Sequence, residues 1–299
     1  MTSGVSLCLR CPSARAYDAP VQRVTHRSEG ASGCWTLTES RPPDLSRWVE
    51  SIWCFEGAIP QRREKHFPNG LVELVVQLDD RFRFVRRGTG ELCAASCVRG
   101  MQTGPTVIEA PGKRSRVLGV RLYPGGAYAV LGTSLWELSE RIVDLEALVR
   151  GSAVELAERC SDGGGAEARV GCAARWLSSR IGRSRGVDPR ISWMVDQIAL
   201  SDGRVSIASL RDRTGLSKKR VLEAFREQIG LAPKMYARVL RFRRALSLLH
   251  EDAASLAEVA LAAGYYDQPH MNLEFRELGG LAPGEFLAST RYSPTTAVG

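Results

Sequence analysis

Phe225-Arg226-Glu227-Gln228-Ile229-Gly230-Leu231-Ala232-Pro233 and Phe275-Arg276-Glu277-Leu278-Gly279-Gly280-Leu281-Ala282-Pro283 agree at seven of nine positions, fifty residues apart. The agreement extends upstream with its landmarks in order: Ile207-Ala208 precede Leu256-Ala257 by forty-nine residues, as Gly215 precedes Gly264. Self-similarity at such a period marks one supersecondary unit used twice. Each copy opens on an amphipathic helix, with Ile207, Ala208 and Leu210 in the first and Leu256, Ala257, Val259 and Ala260 in the second. A glycine then stands where the helix needs a left-handed closing residue, a conformation free of steric cost only without a β-carbon. Ser217 and Asp267 are N-caps for a second helix. That helix carries Val221, Leu222, Phe225 and Ile229 in one copy and Met271, Leu273, Phe275 and Leu278 in the other. Two short helices around a glycine turn make a helix-turn-helix, whose second helix enters the DNA major groove where the motif serves recognition.

A protein-binding helical scaffold is the competing reading, but two copies fall short of the roughly three units a solenoid needs. Charge points to a polyanion. Residues 204–244 hold twelve Lys or Arg against Asp212, Glu223 and Glu227, a net +9, in a chain of 299 residues with net charge +8. Residues 245–299 hold two basic residues against seven acids, a net −5. Binding through the basic half should weaken steeply with salt.

Between the copies, Met235, Val239, Phe242, Leu246 and Leu249 step by four, three, four and three, one buried stripe on a connecting helix. Arg238, Arg241, Arg243 and Arg244 lie off it. Ahead of the first copy, Asp188-Pro189 caps and starts a helix with Ile191, Met194, Val195 and Ile198 on one face. Ser201-Asp202-Gly203 ends it.

At these residues the chain resembles the AraC/XylS family of bacterial transcription regulators, over about residues 188–291. The specific features are the two Gly-Leu-Ala-Pro closings, the turn Gly264-Tyr265-Tyr266-Asp267-Gln268-Pro269-His270 and the connecting helix. The resemblance implies an all-α module of two tandem helix-turn-helices, in which a rigid connector lets one monomer read two consecutive grooves of double-stranded DNA about 34 Å apart. It also implies an arginine two residues before the repeated phenylalanine on each recognition helix, and here this chain departs, with Glu223 and Leu273. Glutamate can accept from cytosine N4, and leucine can touch only a thymine methyl. The candidate DNA contacts are therefore Lys218, Lys219 and Arg220 on the first recognition helix and Gln268, His270 and Asn272 on the second. Arg226 and Arg276 are placed for phosphates. A solvated helix face is the alternative at each polar position. The unequal charge makes the first unit the anchor and the second a weak contributor or a contact for RNA polymerase.

The rest of the chain is long enough for a second domain. Residues 1–34 show no sustained period and read as a disordered tail, 35–182 as a β-rich sensor or dimerisation domain, 183–187 as a basic linker, 188–291 as the DNA-binding domain and 292–299 as a tail. Val49 to Phe55, Leu71 to Leu78 and Val117 to Tyr123 read as strands, with Phe82, Phe84 and Val85 in alternation. A small barrel or sandwich with helices over about 127–181 fits them, so the fold class is α+β. Phe67-Pro68-Asn69-Gly70-Leu71-Val72-Glu73-Leu74 and Arg121-Leu122-Tyr123-Pro124-Gly125-Gly126-Ala127 look like an uncharacterised sensor-type domain found upstream of AraC-type modules. That resemblance supplies no ligand. Pro124-Gly125-Gly126 can aim amides at an anion if a helix starts there, against a plain strand-to-helix turn. Trp48, Trp53 and Trp136 are candidates for an apolar pocket, against core packing.

His26, His66, His250 and His270 are the only histidines and form no clustered pair for a metal-binding barrel. No nucleophile elbow or phosphate-binding glycine loop is present, so the chain reads as a non-enzyme without cofactor or bound metal. Cys8-x2-Cys11 and Cys93-x3-Cys97 have ligand-like spacing, and Cys34, Cys54, Cys160 and Cys172 complete a set of eight. They keep open a thiol- or zinc-dependent DNA repair or transfer protein, against buried free thiols in a reducing compartment. Without a signal peptide pattern or an apolar run of 18 residues, no membrane partner is expected and the location reads as cytoplasmic. A homodimer and a small-molecule effector are the remaining expected partners.

Overall fold

The computed structural model describes residues 22–28, 34–58, 63–86, 89–111, 114–162, 164–184, 186–250, 255–288, 290–293 and 296–298. Cys8 and Cys11 lie outside them. The N-terminal half is antiparallel throughout. Strands β1 (Gln22–Ser28), β2 (Cys34–Arg41), β3 (Val49–Ala58), β4 (Arg63–His66), β5 (Val72–Gln77) and β6 (Arg83–Arg86) come first. They are followed by β7 (Thr89–Leu92), β8 (Ser96–Arg99), β9 (Thr106–Glu109), β10 (Ser115–Leu122) and β11 (Ile142–Asp144). One sheet runs β1-β2-β3-β10-β5-β8-β11, and the other contains β4-β9-β6-β7. The sheets stay open and do not close into a barrel.

Alternation along the strands sorts side chains to two faces. On β10, Leu118, Val120 and Leu122 point to a core covered by α1 (Pro124–Leu131), α2 (Leu145–Val149), α3 (Ser152–Ser161) and α4 (Ala166–Ile181). The other face holds charge. Arg121 is cross-strand partner of Glu73 and lies 3.5 Å from it and 3.2 Å from Glu39, while Arg99 reaches Glu73 at 2.7 Å. Burial opposes ionisation of Glu73, and Arg99 and Arg121 more than offset it, holding the carboxyl below its usual range. The two motifs read as sensor-type, one carrying Glu73 and the other Arg121, thus meet in one ion-pair network.

Two expected tails contain strands. Gln22–Ser28 pairs along β2 from Gln22↔Arg41 to Ser28↔Trp35, although its composition shows no period. At the other end, β12 (Thr290–Ser293) and β13 (Thr296–Val298) form a hairpin, and β13 pairs with β4.

The C-terminal half is helical: α5 (Pro189–Leu200), α6 (Ile207–Thr214), α7 (Lys218–Ile229), α8 (Pro233–His250), α9 (Leu256–Ala263), α10 (Gln268–Glu274) and α11 (Pro283–Ala288). Its core is not separate from the first. One continuous apolar cluster runs from Leu118, Val120 and Leu177 into Ile191, Met194, Val221, Phe225 and Leu240. A second cluster gathers Phe242, Leu246, Val259, Met271, Phe275 and Phe286, and it includes Phe67 from the loop before β5.

Candidate nucleic-acid interface

The two helix pairs are built by the same devices. Ser206 caps α6, accepting from the Ser209 amide at 3.4 Å, and Ser217 caps α7, accepting from Arg220 at 3.2 Å. In the second pair Ser255 caps α9 and Asp267 caps α10, accepting from Glu258 at 3.2 Å and His270 at 2.8 Å. Gly215 and Gly264 turn the chain at φ 67° and 85°, and Gly230 and Gly280 close the second helices at 89° and 65°. All four are left-handed, as the sequence predicts for Gly215 and Gly264. Asp188 caps α5 as expected, and its hydrogen bond from Arg190 holds the carboxyl below its usual range.

The copies diverge at the end of the second helix. In the first, α7 runs regularly to Ile229; in the second, α10 stops at Glu274 and Phe275–Gly279 form a π-helical turn. Where Ile229 fills space in the first copy, Gly279 leaves it, and the Phe242 and Phe67 rings lie next to the missing side chain. Phe67 stacks edge-on against Phe286 at 5.6 Å and Phe242 at 6.3 Å.

Lys218, Lys219 and Arg220 are exposed at the start of α7. Lys219 lies 3.9 Å from Glu223 one turn on, an exposed pair of little energetic weight. Arg226 is also exposed, with its guanidinium over the Trp136 ring of the N-terminal half. Its neighbour Glu227 accepts from the Tyr128 hydroxyl at 3.1 Å, and the Gly230 carbonyl accepts from the Ser139 hydroxyl. On the second unit Leu273 and Arg276 lie outward as expected, but the polar candidates do not. Gln268, His270 and Asn272 are half-buried, His270 packs edge-on against Tyr265 at 5.4 Å, and Asn272 Oδ1 is buried without a hydrogen-bond partner among the described residues. The outward positions are Pro269, Leu273 and Arg276, preceded by Tyr266 in the turn; Tyr266 is 87% and Leu273 57% exposed. Superposing the repeats in sequence finds them: Pro269, Leu273 and Arg276 stand fifty residues after Lys219, Glu223 and Arg226, all exposed on α7.

The connector's arginines, counted above as attracting a polyanion, have partners inside the protein. Arg238 is hydrogen-bonded to Glu274 and Glu277 of the second unit, and Arg241 donates to the Gly203 carbonyl at 3.1 Å. Arg243 donates to the Asn69 carbonyl at 3.0 Å, and Arg244 lies 3.9 Å from Asp202. The helix is also buried on two faces. Val239, Phe242, Leu246 and Leu249 of the predicted stripe are buried and Met235 at its start is half-buried, while Tyr236 and Leu240 form another stripe that faces Gly70. Gly70 sits at φ 76°, and a β-carbon there would meet Leu240 at 2.7 Å.

Among the described residues, no group of three or more His, Cys, Asp or Glu is placed to hold a metal ion. The six cysteines among the described residues are free thiols; burial pushes Cys54 and Cys160 up to about 12. Among the same residues no helix is long and apolar enough to cross a membrane.

Residues 40–144 match the family described as "Domain of unknown function (DUF6597)", and residues 210–289 match one described as "Helix-turn-helix domain". Over 114 residues, 37% of this chain and 34% of the relative, the chain is 23% identical to the HTH-type transcriptional regulator MtrA of Neisseria gonorrhoeae. Over 95 residues, 32% of this chain and 33% of the relative, it is 30% identical to the HTH-type transcriptional activator RhaS of Escherichia fergusonii. The matches thus span about a third of the length of these relatives. The crystal structure of ToxT from Vibrio cholerae aligns with 79% of this chain and 98% of its own at 11% identity, with a TM-score of 0.44. The chain thus carries a helix-turn-helix domain over residues 210–289 and is similar, over about a third of its length, to HTH-type transcriptional regulators.

Proposed function

We propose that the protein is a sequence-specific DNA-binding transcription regulator whose N-terminal half, residues 35–182, governs the placement of two reading heads in residues 188–291. The observation that carries this is the pair of helix-turn-helices, each helix capped by a side chain, held on α8, an 18-residue rod of about 27 Å at 1.5 Å per residue. Lys218, Lys219 and Arg220 anchor the first head on phosphates and base edges. Arg276 serves phosphates on the second, where Gln268, His270 and Asn272 flank an outward face that offers Leu273 and Tyr266 instead. Such a face suits thymine methyl groups or a contact with RNA polymerase.

Regulation follows from the same contacts. Trp136, Tyr128 and Ser139 hold the end of α7, Asn69 and Gly70 hold α8, and Phe67 holds the second unit. A ligand, or pairing with a second copy, that shifts the N-terminal half shifts both heads at once.

Footprinting of the full chain on a genomic library tests the function. A defined protected site with two half-sites about one helical turn apart is expected. Uniform, sequence-independent protection would overturn it.

A further inference from the structure

DNA binding leaves the Cys93-x3-Cys97 motif without a role, and no third metal ligand joins the pair among the described residues. Cys97 is the cross-strand partner of Val75, two residues before Arg99 partners Glu73, so alternation puts its thiol on the sheet face of the ion-pair network. The segment leading to it is pinned. The Cys93 amide donates to the Phe82 carbonyl at 2.9 Å, and Gln77 donates from its own amide to Ala95 and from Nε2 to Ala94, both at 2.7 Å. Gln77 Oε1 accepts from the Phe82 amide and closes the clamp. Held this way, the two thiols hydrogen-bond to each other, and thiols already in contact can be joined with little backbone movement.

The surroundings make the two sulfurs unequal. Donation from Cys97 outweighs burial and holds the Cys93 thiol below its usual range, with the Phe84 amide and the Arg81 guanidinium adding to it. The same hydrogen bond and burial push Cys97 up, so it keeps its proton. A nucleophilic thiolate beside a protonated resolving thiol is the arrangement of a site for reversible oxidation. Cys160 of α3 and Cys172 of α4 form a second hydrogen-bonded pair, but there burial dominates and pushes Cys160 up to about 12. Cys93 is 7% exposed, which admits a hydroperoxide and turns away a bulky disulfide.

We propose that Cys93 and Cys97 are a modification site, oxidised to a disulfide by hydrogen peroxide and restored by low-molecular-weight thiols. The Cys93 sulfur attacks a peroxide oxygen and the O–O bond breaks. Cys93 becomes a sulfenic acid, and the departing hydroxide takes up the proton that Cys93 had released. The Cys97 sulfur then attacks the Cys93 sulfur; the S–S bond forms, the S–O bond breaks, and the Cys97 proton leaves with the hydroxide as water. Two thiols and one hydrogen peroxide thus give one disulfide and two waters. Two reducing thiols reverse it by exchange and leave as their own disulfide.

The bond closes on the entry to β8, and β8 leads to the DNA-reading end. Met101, four residues after Cys97, is 1% exposed, and its Cγ lies 3.2 Å from where a β-carbon on Gly230 would stand. Gly230 closes α7, the first recognition helix. This regulatory meaning rests on the reading of the chain as a DNA-binding regulator; the thiol chemistry does not.

Equimolar hydrogen peroxide on the reduced full-length chain, followed by iodoacetamide under denaturing conditions and tryptic mass spectrometry, tests the site. The peptide ending at Arg99 carries both cysteines. It should lose two hydrogens and escape alkylation at least about tenfold faster than Cys160 and Cys172 do, and dithiothreitol should restore it. In Cys97→Ser, dimedone should trap the sulfenic acid on Cys93; in Cys93→Ser, Cys97 should stay reduced. Oxidation of the two pairs at equal rates, no disulfide between Cys93 and Cys97, or oxidation of Cys97 in Cys93→Ser as fast as in the parent would each overturn the proposal. On the footprinted operator, the oxidised chain should differ from the reduced one about threefold or more in affinity, reversibly with dithiothreitol. Equal affinity in a chain that has formed the disulfide would overturn the link to α7, while footprinting judges the regulator reading separately.

Discussion

The guanidinium of Arg226 lies 4.7 Å from the centre of the Trp136 indole. One partner is the arginine the repeat marks for phosphate contact, and the other belongs to the N-terminal half, so the two claims on this side chain compete. Trp136 is 47% exposed, which places the cation–π contact at about 0.5–1 kcal/mol. Trp136→Ala should therefore tighten operator binding about two- to fivefold in fluorescence anisotropy. Weaker binding in that variant would show that the contact orients Arg226 for DNA rather than withholding it.

The charge difference between the reading heads predicts a difference in salt dependence. Lys218→Ala with Lys219→Ala should weaken binding across all sequences and reduce the slope of log K against log salt by about two. Gln268→Ala with Asn272→Ala should change the slope little. Equal slopes for the two pairs would remove the distinction between anchor and auxiliary head.

Arg238 joins the connector to the second recognition helix through Glu274 and Glu277. Glu274 is 4% exposed, so Arg238→Ala leaves a buried carboxylate without its cation. Arg238 itself is partly exposed, which discounts the cost to about 2–3 kcal/mol from the 3–5 of a fully buried pair. A thermal melt should show the loss, and adding Glu274→Gln should restore part of it. A double variant as unstable as the single one would count against the ion pair.

What could be read from the residues was local. Ser217, Asp267 and Asp188 cap where their types and positions predict, and the turn glycines are left-handed, because capping and chirality act within a few residues. The stripe from Val239 to Leu249 was legible by period. Its companion, Tyr236 and Leu240, was not, because one period cannot show that a helix is buried on two sides. The basic count misled for a similar reason: Arg238, Arg241, Arg243 and Arg244 find carboxylates and carbonyls distant in sequence. On the second head, Leu273 and Arg276, placed by alignment of the repeats, lie outward, whereas Gln268, His270 and Asn272, picked for polarity alone, are half-buried.

Phe67 is 1% exposed in the core of the second helix-turn-helix unit. Phe67→Ala should cost about 3–5 kcal/mol, and the loss should appear as faster amide exchange in α10 and α11, far along the chain from the change. Faster exchange confined to β4 and β5 would mean the ring stabilises only its own half.

The Glu73 network gives a dependence on acid. Its native value lies below the unfolded value of about 4.3, so its stabilisation is complete above that value and fades as pH falls through the native one. Glu73→Gln should be less stable than the parent near neutrality, and the gap in denaturant melts should narrow as pH falls below about 4. A gap that stays constant with pH would assign the effect to packing instead.

Gly279 has a bearing on how such chains can be recombined. Beside it the core of the second helix-turn-helix is closed by two rings, Phe242 of the connector and, farther off, Phe67 of the N-terminal half, so the DNA-reading end is not a wholly self-contained cassette. Grafted onto another regulator, residues 188–299 would expose the Phe242 and Phe286 rings that Phe67 covers unless the Phe67–Leu71 loop travelled with them.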